Sequence, residues 1–350
     1  MSDKGKKMEN IQSNGQKNRR ADATFFGFDF QVNAAIVIML ENIVDLKTLK
    51  IESSNEDIEI CCNDNSLILA QAKAVVNSES DFSHVTSNLK KALCTLSEGA
   101  ANKKIKQLIF VTNSINPLGK KGTMQYFFGH SHREYSSLPL DAQKRIDMCL
   151  EGIVNPLDKS KFLIQTIPFA TDNEEERHKV IKSCIDDFIG ELNISVSGLK
   201  DKLFKAWNYS LLHNGSQKDV NITLKKKDIV WPIIVIGTDI KSNDDKFGDD
   251  FDEAEIDDIK FHYSDLINDS CERFSFACKV IYDYSKFPFT GLKSEKCHAF
   301  AFSCWKEYEN EFKSITLDAK TKENLIKVII YQILRRKNLI DQVKKEVNLE

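Results

Sequence analysis

Asp57, Gln71 and Lys73 are the residues whose types and spacing suit a chemical step. They lie in two short runs, Glu52–Ile60 and Leu69–Ala74, on either side of an Asn63-Asp64-Asn65 turn. Side chains of an extended chain alternate between faces. Asp57 and Glu59 therefore share one face, and Ile58 and Ile60 take the other. Gln71 and Lys73 likewise share a face, opposite Ala70, Ala72 and Ala74. If the two runs pair through the turn, Asp57, Gln71 and Lys73 converge on one polar spot backed by an apolar sheet. That spot suits metal-assisted phosphodiester hydrolysis. Mg²⁺ (or Mn²⁺) takes oxygen ligands, only one or two of them carboxylates, and leaves the rest to water and substrate phosphate. Asp57 offers a carboxylate, Gln71 an amide oxygen, and Glu52 a further ligand at the end of the preceding extended segment. Lys73 can orient or deprotonate the attacking water, while the metal lowers the water's pKa and stabilises developing charge. A carboxylate followed by Q-x-K also arises by chance, and an Asp and a Lys on neighbouring strands also make a plain solvated face. Spacing by itself leaves both readings open.

The flanking segments must position these residues. Phe30 to about Ile43 carries Phe30, Ala34, Val37, Ile38 and Leu40 at helical spacing. Leu46–Glu52, Asp57–Cys62 and Ser66–Val76 read as three strands. Ser87–Leu96 reads as a helix, Gln107–Thr112 as a buried strand, and Asn113–Leu138 as a polar surface loop. Phe162–Ile167 then reads as a strand, Glu174–Leu192 as a helix capped by Thr171 or Asp172, and Ile229–Gly237 as another buried strand. Strands interleaved with helices predict a mixed α/β sheet covered by helices. Residues 239–260 are strongly acidic. Their fit to a calcium loop fails, because Phe247 and Ala254 would fall on ligand positions, so a solvated linker is expected. Helices follow, at roughly Tyr263–Tyr284, at His298–Phe312, and over a last stretch with Leu325, Val328, Ile329, Ile333, Leu339, Ile340 and Val343 on one face. The expected organisation is a disordered basic tail over 1–22, a sheet domain over 23–238, the linker over 239–260 and a helical interaction domain over 261–350.

Composition narrows the function classes. The net charge of -3 excludes an overall basic field, so a nucleic acid would be held by local cations. Lys103, Lys104, Lys106, Lys120, Lys121 and Lys225 to Lys227 are the clusters that could flank such a path, or could be plain surface. Nine cysteines, an odd number with no C-x-x-C pair, fit reduced and mostly buried thiols in a cytosolic protein. The first 22 residues are polar throughout, unlike a signal peptide, and no apolar stretch is expected to span a membrane. No Walker-type loop is present, which argues against ATP hydrolysis. His130-Ser131-His132 reads as a pair of exposed loop histidines without an acidic partner nearby in sequence. Cys297-His298 and Cys304 have no second ligand pair, which argues against zinc there. Trp207, Trp231 and Trp305 are expected in the core or an interface.

Gly27-Phe28-Asp29-Phe30-Gln31, then a helix, then the Glu52/Asp57 segment, then Gln71-Ala72-Lys73, resembles the PD-(D/E)xK restriction-endonuclease-like superfamily. The likeness is to the double-stranded-DNA nuclease domains of bacterial anti-phage effectors, where Gln commonly replaces the motif's acidic residue, as Gln71 does here. A Gln on the first helix, matching Gln31, tends to join that site. The strand Leu108–Asn113 resembles the family's following core strand. The short chain and its helical C-terminal part are similar to the nuclease subunits of Lamassu systems (LmuA type). About a hundred helical residues after the acidic run make a nucleotide-sensing SAVED domain unexpected. What the resemblance implies is a Mg²⁺-dependent endonuclease on double-stranded DNA. It would be held silent by an SMC-like ATPase subunit and a small accessory subunit, and released to self-assemble when foreign DNA is sensed in the bacterial cytoplasm. Two other readings stand beside it: a catalytically silent nuclease fold acting as a DNA-binding scaffold, and an Mrr-type restriction enzyme.

Overall fold

The computed structural model describes residues 22–170, 172–194, 196–238, 253–313 and 316–349. The basic tail, Thr171 and most of the acidic run lie outside the described residues. The first element is helix α1 (Asp22–Glu41). A three-stranded antiparallel meander follows: β1 (Leu46–Ile51), β2 (Ile58–Cys62) and β3 (Leu67–Lys73). Helix α2 (Val85–Ala100) then crosses to β4 (Ile105–Thr112), which runs parallel to β3. Strand β5 (Ser131–Glu134), helix α3 (Leu140–Leu150) and β6 (Phe162–Thr166) complete that edge, with β6 parallel to β4 and antiparallel to β5. Helices α4 (Glu174–Glu191) and α5 (Leu199–Ser216) lead to the short β7 (Leu224–Lys225) and helix α6 (Lys226–Gly237). The seven strands lie in the order β5-β6-β4-β3-β2-β1-β7. Helices α7 (Glu253–Glu272), α8 (Phe274–Lys286), α9 (Lys293–Cys304) and α10 (Ala319–Glu346) form the C-terminal part. The fold is the expected α/β class: a mixed sheet flanked by helices, plus a mainly helical C-terminal region.

The sheet is buried on both faces, as parallel pairing demands. Ile68, Ala70, Ile109, Val111 and Leu163 face α1, α4 and α5. Leu69, Leu108, Phe110, Phe162 and Ile164 face α2 and α3. Helix α1 is apolar nearly all round, and Ala34 to Met39 are wholly buried, so it is the central core helix. The expectation that no stretch could span a membrane needs amending, since Ala23–Glu41 is long and apolar enough by length and composition. Here that apolar surface is spent on the sheet, α4 and α5.

Several sequence expectations are corrected. Helix α1 starts at Asp22, not Phe30. Ile229–Gly237 is part of helix α6, not a strand: Ile229, Val230, Ile233 and Gly237 are buried at helical spacing, while Trp231 and Val235 are exposed. Pro232 was the telling residue, because proline cannot donate to a central ladder. Asn113–Leu138 is not a surface loop. It buries Asn113, Ser114, Asn116, Leu118, Thr123 and Phe127 and supplies β5. The cap of α4 is Asn173, whose side chain accepts from the Glu176 amide. The region expected as one helix over Tyr263–Tyr284 is two, broken at Arg273, and α7 begins at Glu253, inside the expected linker. Ile256 and Ile259 of that segment are buried in the helical core. All nine cysteines are free, but only Cys62, Cys149, Cys271 and Cys297 are buried. Trp207 is buried and donates to the Ile229 carbonyl at 2.8 Å, whereas Trp231 is on the surface.

Candidate metal-dependent active site

The pairing of β2 with β3 sets the site. Ile58 lies opposite Ala70 and Glu59 opposite Leu69, so Asp57, one residue before β2, lies next to the register position of Gln71. The Asp57 carboxylate oxygen Oδ2 accepts from the Gln71 amide and from the Ala72 backbone N–H at 2.9 Å. Lys73 Nζ lies 3.4 Å from the same oxygen. Gln71 is buried, whereas the Asp57 and Lys73 side chains are partly open to solvent. The pleat thus delivers the three residues to one spot at the end of β3.

The remaining predicted residues hold this spot from the backbone side. Gln31, buried on α1, donates from Nε2 to the Asp57 carbonyl at 2.9 Å. The Glu52 amide donates to the same carbonyl at 2.8 Å, and Glu52 takes a left-handed φ of 53° at the corner leaving β1. Glu52 is exposed, and it bears on Asp57 by charge. Burial pushes the Asp57 carboxyl up, Lys73 and the Ala72 N–H pull it down, and Glu52 pushes it up again. Beyond Lys73, Thr112 Oγ1 donates to the Lys73 carbonyl at 2.6 Å. The Asn113 amide brackets Val75, accepting from its N–H at 2.7 Å and donating to its carbonyl at 2.8 Å. The path of the chain past Lys73 is therefore fixed by the next parallel strand.

Sequence reasoning missed Glu56. It is buried, and neither carboxylate oxygen has a hydrogen-bond partner among the described residues. Burial, with the neighbouring Asp57 charge, raises its pKa to about 8 against the opposing pull of Lys73 and Lys103. Position offered no signal, because Glu56 stands in a turn, outside the strand alternation. The turn is drawn tight by the Ser53 hydroxyl, which accepts from the Asn55 and Glu56 amides at 3.0 and 2.9 Å. Against it lies Gly99 of α2, where a Cβ would come within 2.9 Å of Glu56 Oε1.

The donor types here are those a hard divalent cation takes. Asp57 and Glu56 are oxygen donors, and the unpartnered buried Glu56 oxygens are the kind of group that a cation satisfies. Most of the flanking cations are already engaged. Lys104 pairs with Asp64 at 2.8 Å, Lys106 with Asp45 at 2.6 Å and Lys120 with Asp141 at 3.1 Å. Lys226 is buried and donates to three carbonyls, so it is corrected from a surface cation to a structural one.

No family model matches the chain, and no curated protein does. Among solved structures, the chain is similar to the Cap4 SAVED/CARF-domain-containing receptor of Acinetobacter baumannii, determined with the cyclic trinucleotide 2'3'3'-cAAA. The identity is 14%, the TM-score 0.38, and the overlap covers 60% of this chain and 45% of that one. The chain thus spans less than half the length of that receptor, and a likeness of this extent carries no argument about its activity or ligand.

Proposed function

We propose that this chain is a divalent-metal-dependent endonuclease acting on double-stranded DNA. The observation that carries the reading is the convergence of Asp57, Gln71 and Lys73 at the end of β3, beside the buried Glu56. Asp57 and Glu56 would hold Mg²⁺ or Mn²⁺, with Gln71 and Glu52 at its margin. When bound, the ion supplies Lewis acidity toward a phosphate oxygen and a water of lowered pKa. Lys73 holds a positive charge at the mouth of the site, where it orients water and offsets phosphate charge. Gln31 fixes the Asp57 backbone, so that the carboxylate is presented without reorganisation. The effector role in a defence complex, with an SMC-like ATPase and a small accessory subunit docked on the C-terminal helices, rests on the resemblance of the Gly27–Gln31 and Gln71–Lys73 segments to PD-(D/E)xK effectors.

Folded Lys73→Ala protein is expected to lose plasmid cleavage by about 10²-fold or more in Mg²⁺, as for loss of one charge-stabilising group. Cleavage at the wild-type rate would overturn the assignment. One observation favours the silent-scaffold reading: Asp57 Oδ2 is already occupied by Gln71 and the Ala72 amide. Metal-dependent cutting by the free chain or its assembled form, abolished by EDTA, separates the two readings.

A further inference from the structure

His130 and His132 are not isolated loop residues. His130 immediately precedes β5 and His132 lies within it; both imidazoles reach the same Glu41 carboxylate, while the Ser131 hydroxyl between them meets Thr166 Oγ1 at 2.6 Å. Strand β5 pairs antiparallel with β6 so that His132 stands opposite Gln165. Helix α1 ends over this face at Glu41. Glu41 Oε1 is 2.8 Å from His132 Nε2 and 3.6 Å from His130 Nε2, and the three ligand atoms all lie within 4.8 Å of one another. Zinc bonds of about 2.0–2.1 Å in a tetrahedron place ligand atoms about 3.3 Å apart, so side-chain adjustments suffice to close the set.

Two further groups orient these ligands. Gln165 is fully buried, donates from Nε2 to both Glu41 oxygens at 3.1 and 3.2 Å, and leaves its Oε1 without a partner among the described residues. Cys184 Sγ lies 4.0 Å from His130 Nδ1, the nitrogen that does not face Glu41. A proton on Nδ1 directed at that sulfur leaves the Nε2 lone pair to the Gln165 amide, 3.3 Å away, which an ion would displace. An ion pair between Glu41 and His132 explains one contact. It does not account for the second imidazole turned to the same carboxylate oxygen beside the unpartnered Gln165 Oε1.

We propose that Glu41, His130 and His132 form a binding site for a divalent transition-metal ion of the zinc type, with Gln165 and Cys184 orienting the ligands. Two imidazoles and a carboxylate match that class, and three protein ligands leave one position open to water or an external ligand. The site is separate from Asp57. Gln31 and Glu41 stand ten residues apart on α1, about 15 Å along the axis. An ion there would tie the end of α1 to the edge of the sheet.

The test uses the full-length chain stripped of metal. Zn²⁺ is titrated against a chromophoric chelator, and Co²⁺ is followed by visible absorption. One tight equivalent is expected, with cobalt bands of nitrogen and oxygen ligation and no thiolate charge-transfer band. Glu41→Gln and His132→Ala should each weaken binding by at least about tenfold, whereas Cys184→Ser and Asp57→Asn should keep the one-equivalent stoichiometry. Ring ¹⁵N shifts of two histidines in the wild-type chain should move on adding Zn²⁺, a measurement that needs no variant. Unmoved histidine signals, a thiolate band, equal affinity in folded His132→Ala, or loss of the equivalent in Asp57→Asn would each overturn the proposal.

Discussion

At the residue scale, the buried Glu56 makes the sharpest claim. Its pKa is raised from 4.5 to about 8, mainly by burial. A raised folded-state pKa contributes stability that is complete below the unfolded value and lost as pH rises through the folded one. Metal-free wild-type protein should therefore lose about 1.4 kcal/mol per pH unit from this group across the window from about 4.5 to about 8. Glu56→Gln cannot ionise and is expected to escape that loss. Urea unfolding in EDTA at pH 5, 6, 7 and 8 checks it: the stability difference should shift steadily in the variant's favour as pH rises. Parallel curves would show that the carboxyl finds water or a partner. Asp57 is raised too, in both proteins.

At the element scale, the site depends on how α2 approaches the β1–β2 corner. Gly99 lets the helix come close, since a Cβ would stand 2.9 Å from Glu56 Oε1 and 3.3 Å from the Asn55 carbonyl. Alanine at this position would gain helix propensity of about 1 kcal/mol, which works against the crowding. Valine is the cleaner probe, because its β-branch adds bulk and forfeits that gain. Gly99→Val is expected to destabilise the fold by about 1–3 kcal/mol through overpacking. It should also lower plasmid cleavage more than the stability loss explains, by displacing Glu56. Chemical unfolding and cleavage of the folded fraction measure the two effects, and wild-type values for both would detach Glu56 from α2.

At the scale of the whole molecule, the sheet and the helical region share one helix. The start of α10 sits in the helical core, with Leu325, Ile329 and Ile333, while Val343 and Val347 at its far end belong to the core around α1. Lys226 Nζ fastens that end, donating to Val44 O at 2.7 Å, Val347 O at 2.8 Å and Asn348 O at 3.2 Å. The Gln342 amide donates to the Leu192 carbonyl, and the Gln332 amide to the Thr238 carbonyl. Lys226→Met keeps the apolar stem and removes the donors. A loss of about 2–3 kcal/mol is expected from stranding buried carbonyls, together with faster amide exchange over residues 343–349. Unchanged exchange there would mean that α10 is held by its apolar face alone.

The chain's own order of residues determined what is local. Alternation placed Asp57, Gln71 and Lys73 on facing strands, because a strand's period of two survives any packing. Three- and four-residue apolar spacing marked α4 and α10 for the same kind of reason. Short apolar runs were not decided locally. Ile229–Gly237 suits either a buried strand or a buried helix, and packing on α5 and α10 made it helical. Contacts between distant segments were beyond reach altogether. Nothing near Glu56 in sequence announces that α2 will cover it, and nothing near His130 announces Glu41, 89 positions earlier. Both clusters exist because a helix, α2 over the β1–β2 corner and α1 over β5, is folded onto strands distant from it in sequence. Only chain closure over those distances, driven by burial of the two sheet faces, brings their charges together.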